Sequence, residues 1–272
     1  MATWKGHVDE GVQLITTDLI PVLERLGDDR GRAVAVGPIA DVLMARGELD
    51  EALRIRREQL SVYDRLGDVR SRAVTLGKIA EVLMARGKLD EALRIWRDEQ
   101  LPIIERLGEV RERAVTQGKI ADVLMARGEL DEVLRIRREE QLPVYERLGD
   151  VHSRAVTQGK IADVLMARGE LDKALRIRRE EELPMYERLG DVRSRAMTQG
   201  KIADVLMVRG ELDEVLRIRR EEELPVYERL GEVRLRAVTQ GKIADVLMAR
   251  GELDEALRIR REEELPVYER LG

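Results

Sequence analysis

One spacing constrains this chain more than anything else in it. The tripeptide Arg-Leu-Gly closes at Gly27, Gly67, Gly108, Gly149, Gly190, Gly231 and Gly272, an interval of 40 and then 41 five times. The pair Arg-Gly, at Gly47, Gly87, Gly128, Gly169, Gly210 and Gly251, shows the same single short interval. Self-similarity at a period near 40 is the signature of a helical solenoid, in which each unit buries its apolar face only against its neighbours. The chain reads as a single solenoid domain, 1–272: a half repeat at 1–27, then full repeats at 28–67, 68–108, 109–149, 150–190, 191–231 and 232–272.

Each repeat reads as two helices. In the third, helix A runs from about Val110 to Arg127, with Ala114, Val115, Ile120, Ala121, Val123, Leu124 and Met125 recurring mainly three and four apart. Gly128 stops it. Helix B begins near Leu130 and ends at Leu148-Gly149, again on a glycine stop. Links of a few residues make neighbouring helices antiparallel. The half repeat aligns with a second helix, so thirteen helices are expected. Tyr63, Tyr145, Tyr186, Tyr227 and Tyr268 recur once per unit, as core residues do, and Trp4 and Trp96 are single packing residues. Helix A also carries an interior glycine: Gly37, Gly77, Gly118, Gly159, Gly200 and Gly241. Such a glycine costs about 1 kcal/mol relative to alanine. With the alanine three residues on, it reads as a small face for close helix approach.

These residues carry a resemblance. The small pair Gly118 and Ala121, the stop Gly128, then Leu130 and Val133 (Ala52, Ala92, Ala174 and Ala256 elsewhere) resemble the tetratricopeptide repeat in a long form of about 40–42 residues. The resemblance implies an all-α, right-handed superhelical solenoid of antiparallel helix pairs, with helix A lining a concave groove that binds peptides or partner proteins.

Two features depart from that pattern. A large apolar site of mid-helix B is here Ile15, Arg56, Trp96, Arg137, Arg178, Arg219 and Arg260. It should be half buried, with arginine stems packed and guanidinium groups reaching an acid such as the following Glu run. Secondly, Pro102, Pro143, Pro184, Pro225 and Pro266 fall inside helix B, and Pro21 sits at the same place in the half repeat. Repeat 28–67 has Ser61 instead and is one residue shorter, so insertion and proline go together. A mid-helix proline lacks the N–H and crowds the carbonyl four residues back, and an extra residue widens the turn. A kink or one-turn bulge is expected, with Leu142 strained or leaning towards extended. The alternative is a clean break, with Pro143 starting a separate short helix. Gly37-Pro38 should kink or delay helix A of repeat 28–67.

Composition excludes several chemistries. With no cysteine there is no disulfide, thiolate metal site or thiol nucleophile. The two histidines, His7 and His152, hold different repeat positions, and His152 reads as a solvated surface residue. Carboxylates recur in every copy close to arginine, unlike a catalytic pair in unlike environments. No phosphate loop appears, so no enzyme activity, cofactor or metal is expected. The net charge of -5 is spread evenly, against a nucleic-acid partner. Apolar runs are far too short for a membrane span or signal peptide, and a cytoplasmic location is expected.

The array with a functional reading is a ladder of alternating charge on helix A: Lys78, Lys119, Lys160, Lys201 and Lys242 with Glu81, Asp122, Asp163, Asp204 and Asp245. Three-residue spacing puts each pair on one helix face. By the resemblance this face lines the groove and would hold a peptide; the alternative is an intrahelical ion-pair ladder without a ligand. The expected function is a non-enzymatic scaffold for protein or peptide partners. The alternatives are a structural solenoid stacking head-to-tail through apolar ends, and the sensor segment of a larger regulator; a consensus-like or synthetic array would look the same. A patch unique to one repeat would favour the scaffold.

Overall fold

The structure, a computed structural model, describes residues 9–271. Trp4 and His7 lie outside them. Thirteen helices are found among the described residues, and no strand. Contacts divide the chain into two compact units at Glu129/Leu130, between the two helices of repeat 109–149. The first unit holds α1 (9–26), α2 (29–45), α3 (Leu49–Leu66), α4 (Val69–Ala85), α5 (89–107) and α6 (Val110–Ala126). The second holds α7 (130–148), α8 (Val151–Ala167), α9 (171–189), α10 (Val192–Arg209), α11 (212–230), α12 (Val233–Ala249) and α13 (253–271). Even-numbered helices are type A and odd-numbered ones type B.

Helix ends are fixed locally. At the start of α4, α8 and α10 an aspartate, Asp68, Asp150 or Asp191, accepts a hydrogen bond from the backbone N–H three residues on. The type B helices from α1 to α11 end on a left-handed glycine such as Gly67 (φ 64°), where the Asp68 N–H reaches back to the Tyr63 carbonyl at 3.0 Å. The core of each unit is built from the A-helix alanines, the B-helix aliphatics and the tyrosines. Ala196, Val226 and Tyr227, with Leu235 against them, form one such cluster. Trp96 is wholly buried.

The proline segments resolve as bulges. In α1, α5, α7, α9, α11 and α13 the residues before the proline form a π-helix, for example Ile95–Gln100, Ile136–Gln141 and Arg178–Glu182. The residue preceding the proline closes it with a bond to the carbonyl five back: Leu101 to Trp96, Leu142 to Arg137, Leu183 to Arg178. The shorter α3, with Ser61, is α-helical throughout. The expectation for Leu142 is corrected: its backbone is helical (φ -54°, ψ -47°), because the widened turn leaves room for the ring without distorting the preceding residue. Nor does the chain break there. In α2 the effect of Pro38 is a real interruption, with Asp29–Ala35 and Gly37–Ala45 separated at Val36.

Mid-helix B arginines are more buried than expected. Arg178 and Arg219 are each 2% exposed and Arg56, in the unbulged α3, is 6%; Arg260, in the bulged α13, stays 38% exposed. The apolar residues Leu14, Leu19, Val22 and Leu26 of α1 and Leu253, Leu257, Leu265 and Tyr268 of α13 are exposed.

Candidate functional site

The A helices present one face whose residues are spaced four, four and three apart. On α8 these are His152, Val156, Lys160 and Asp163, and on α10 Arg193, Met197, Lys201 and Asp204. The first row is tied to the start of the next A helix: Arg30 to Asp68 (3.0 Å), Arg70 to Glu109 (3.1 Å) and Arg193 to Glu232 (2.7 Å). The second row is apolar and open to solvent, with Val34, Val74, Val156, Met197 and Val238 all exposed.

The charged ladder occupies the third and fourth rows, and its pairs run mainly between consecutive A helices. Lys78 lies 3.7 Å from Asp41, Lys119 bonds Glu81, Lys201 lies 3.7 Å from Asp163 and Lys242 donates to Asp204 at 2.9 Å. An intrahelical pair, Lys78 to Glu81 at 3.2 Å, is also present. Asp122 and Lys160 hold the same rows on α6 and α8. The inter-helix pattern follows from the arginine beneath: Arg56 bonds Asp41, Arg178 bonds Asp163 and Arg219 bonds Asp204, each at 2.5 Å, and Arg260 bonds Asp245. Each Asp is drawn towards its own repeat's helix B, and Asp163, Asp204 and Asp245 thereby away from the lysine three residues upstream. In repeat 68–108 the arginine is Trp96 and the acid is the longer Glu81. Burial alone would raise the Glu81 carboxyl, but the Lys119 and Lys78 ammonium groups prevail and hold it below the ordinary range.

Beneath the ladder lies a network in which the mid-helix B arginines reach the following Glu run, as the sequence implies, and a threonine of the next A helix joins them, which the sequence reading did not anticipate. Arg178 donates to Glu182 at 2.7 Å, and Thr198 of the next A helix donates to the same carboxylate at 3.1 Å. Arg219, Glu223 and Thr239 repeat the arrangement at 2.8 and 3.1 Å. Burial raises the Glu182 and Glu223 carboxyls, with the paired arginines opposing it. Burial, reinforced by these carboxylates, pushes the Tyr186 and Tyr227 hydroxyls up to about 12. The same network corrects the reading of the A-helix glycines. A Cβ on Gly159 would lie 2.5 Å from Glu182 Oε1, and one on Gly200 2.5 Å from Glu223 Oε1. The space is filled by a carboxylate, not by an approaching helix. The signal was available: glycine and its filler are 23 residues apart at Gly77/Gln100, Gly159/Glu182, Gly200/Glu223 and Gly241/Glu264.

Clefts open between successive A helices. One, of about 440 Å³ between α2 and α4, is lined by Val34, Asp41, Arg56, Tyr63, Val74 and Lys78. Another, of about 320 Å³ between α8 and α10, is lined by the corresponding residues, among them His152, Val156, Arg178, Tyr186, Met197 and Lys201. His152 is exposed and meets the Tyr186 ring edge-on, with centroids 6.2 Å apart. Among the described residues no group of three His, Asp or Glu could hold a metal ion, and no helix is long and apolar enough to cross a membrane.

A family model described as tetratricopeptide repeat matches residues 40–58, 80–98 and 244–262, each spanning the A–B turn. No curated protein matches the sequence. Solved structures share the fold. A point variant of the kinesin light chain nearly identical TPR-like repeats from Podosopora anserina is 18% identical, with TM-score 0.62 over 74% of this chain and 97% of that one. A signal transduction ATPase with a tetratricopeptide repeat sensor from Pyrococcus horikoshii is 13% identical, with TM-score 0.72 over 97% of this chain and 42% of that one. The quorum sensor NprR from B. thuringiensis is 14% identical, with TM-score 0.60 over 98% of this chain and 72% of that one. With the repeat model matched at three turns and the solenoid fold held in common, this is an all-α protein of tetratricopeptide-like repeats.

Proposed function

We propose that the chain is a non-enzymatic scaffold that binds an extended peptide segment of a protein partner along the exposed face of its A helices. The observation that carries this is the open apolar row, Val34, Val74, Val156, Met197 and Val238, flanked by charged rows at every repeat. An apolar centre with a polar rim is the anatomy of a protein-binding surface. These side chains stay open to solvent rather than joining the buried core. The ladder residues, from Lys78 and Glu81 to Lys242 and Asp245, would set orientation through their exposed ammonium groups. Peptides selected by display on the immobilised chain should lose at least about tenfold in affinity for a Lys201→Glu/Lys242→Glu variant of unchanged helicity. Selected peptides indifferent to every A-face substitution would overturn the proposal.

A second reading, self-association through apolar helix faces, is favoured by Leu257 (50% exposed) and Tyr268 (40%), whose counterparts Leu216 and Tyr227 are 6% and 2% exposed. Sedimentation equilibrium should then show mass rising with concentration, and Leu257→Glu should abolish the rise. A constant monomer mass in the parent chain would remove this reading.

A further inference from the structure

Helices α11 and α13 are two copies of one surface. Their sequences, 212–230 and 253–271, differ only where Val215 becomes Ala256, a position that is buried in both. In α11 this surface is covered by α12, the type A helix of the following repeat, and in α9 it is covered by α10. On α13 the same side chains face solvent among the described residues. Leu257 and Tyr268 are exposed where Leu216 and Tyr227 are buried, and Leu253 and Leu265 are exposed where Leu212 and Leu224 are half-buried. We propose that the open face of α13 is a docking site for one basic amphipathic helix of another protein, seated as α12 is seated on α11.

The covered copies define the chemistry such a helix must carry. From α12, Thr239 donates to Glu223 at 3.1 Å, Lys242 to Asp204 at 2.9 Å and Arg250 to Asp213 at 2.6 Å. From α10, Thr198 donates to Glu182 at 3.1 Å and Arg209 to Asp172 at 2.6 Å, while Lys201 lies 3.7 Å from Asp163. The corresponding acceptors at the open face are Glu264, Asp245 and Asp254. Glu264 and Asp245 share the one guanidinium of Arg260. Three carboxylates to one guanidinium leave this polar set acidic, and the helix that meets it is basic: α12 and its closing arginine carry Arg234, Arg236, Lys242 and Arg250 against the single acid Asp245. The pattern recognised is a hydroxyl, a lysine three residues on and an arginine eight beyond that, with apolar side chains closing over Leu257 and Tyr268.

The interior glycine is not part of that pattern. A Cβ on Gly241 would collide with Glu264 of its own repeat's helix B. A docked helix with no B helix behind it can carry alanine there, which forms helix better. A second copy of the chain, the occupant in the self-association reading, has its type A helices already packed on their own B helices. Its α13 would bring a second set of the same carboxylates, and like charges across an interface are costly. The charges therefore favour a different chain. The proposal is independent of the peptide reading of the A face and competes with self-association for the same surface.

The test is fluorescence anisotropy on the full chain with a labelled, end-capped peptide of residues 233–250 carrying Gly241→Ala. It should bind saturably, and a scrambled peptide of the same composition should not. Leu257→Glu in the chain puts a charge at the centre of the face, on a residue that is already exposed, and should abolish binding with Tm unchanged. The peptide with Lys242→Glu and Arg250→Glu should bind the parent chain at least about tenfold more weakly, and a chain with Asp245→Lys and Asp254→Lys should recover it. Binding that survives Leu257→Glu, or a charge-reversed peptide that is not recovered, places the peptide elsewhere and overturns the proposal. If the peptide does not bind, while the mass of the parent rises with concentration and that of Leu257→Glu does not, the face belongs to a second copy and the proposal fails. Saturable, Leu257-dependent binding by a chain whose A face takes no display-selected peptide supports this proposal and removes only the scaffold reading.

Discussion

Helices α3 and α9 have one job and solve it at different lengths. In α3, a regular α-helix, Arg56 bonds Gln59 three residues on at 2.9 Å, and Gln59 donates to the Ala33 carbonyl of its A helix at 2.5 Å. In α9 an extra residue opens the segment Arg178–Glu182 into a π-helix, and Arg178 bonds Glu182 four residues on at 2.7 Å. Both bring a polar side chain onto the interior glycine of the A helix, Gly37 or Gly159. The inserted residue is therefore accommodated without changing what meets what. What changes is the tolerance of the site. The bulge accepts a proline, and in α9 the side chain behind the glycine is a buried carboxylate, although the bulged α5 keeps an amide, Gln100, against Gly77.

The largest expected effect tests that charge. Arg178→Ala would strand Glu182, which is 6% exposed, and breaking a buried ion pair costs about 3–5 kcal/mol. Arg56→Ala leaves a neutral amide that keeps its bond to Ala33, a loss of about 1–2 kcal/mol. Chemical denaturation of the two variants, fitted repeat by repeat, should separate them. Equal losses would mean that amide and carboxylate do the same work and that the comparison is empty.

The bulge itself is the next term. Deleting Glu181 would return α9 to the length of α3 but leave Pro184 inside a regular helix, at a loss of about 3 kcal/mol or more. The same deletion with Pro184→Ser, the residue of α3 at Ser61, should recover most of it. Without such recovery, the insertion would have a role beyond housing the proline. The glycines then give an effect of about 1–3 kcal/mol. Gly159→Ala puts a Cβ 2.5 Å from a carboxylate pinned by Arg178 and Thr198, an overpacked site. Gly37→Ala meets Gln59 Nε2 at 3.3 Å, within reach of a small shift, and should change stability by less than about 1 kcal/mol. Thermal melts showing both equally harmful would return the glycines to a role in helix approach.

The repeat, the helix count and the link between insertion and proline were legible because each is written several times in the chain. The bulge could be read from the length difference at Ser61, since proline constrains only its own turn. Leu142 was misread because the rule for a residue before proline assumes a normal α turn, and the π turn removes the clash. The buried arginines were read as half exposed because the sequence shows the acids that follow them but not the glycine gap above. That gap draws Glu182 inward, and Arg178 with it. His152 looked like an isolated surface residue for a related reason: its neighbour in the cleft, Met197, belongs to the next repeat, and nothing in the spacing announces that two single departures face one space.

The smallest effect is a matter of pH. Burial raises the Glu182 and Glu223 carboxyls above their unfolded value, so the folded chain binds more protons than the unfolded one in the interval above that value. Their contribution is fully present below the unfolded pKa of about 4.3 and is lost as pH rises through the raised folded value. Glu182→Gln and Glu223→Gln remove the titration and imitate the amide of α3, and the arginines keep Asp163 and Asp204. The Tm of the double variant relative to the parent should therefore improve as pH is raised from about 4 to neutrality. The corresponding change at Gln59, to glutamate, should introduce into α3 the pH dependence that it lacks at that position. If the relative Tm of the double variant instead falls with rising pH, the ionised carboxylates are net stabilising, and α9 and α11 gain from the ion pair more than burial takes away.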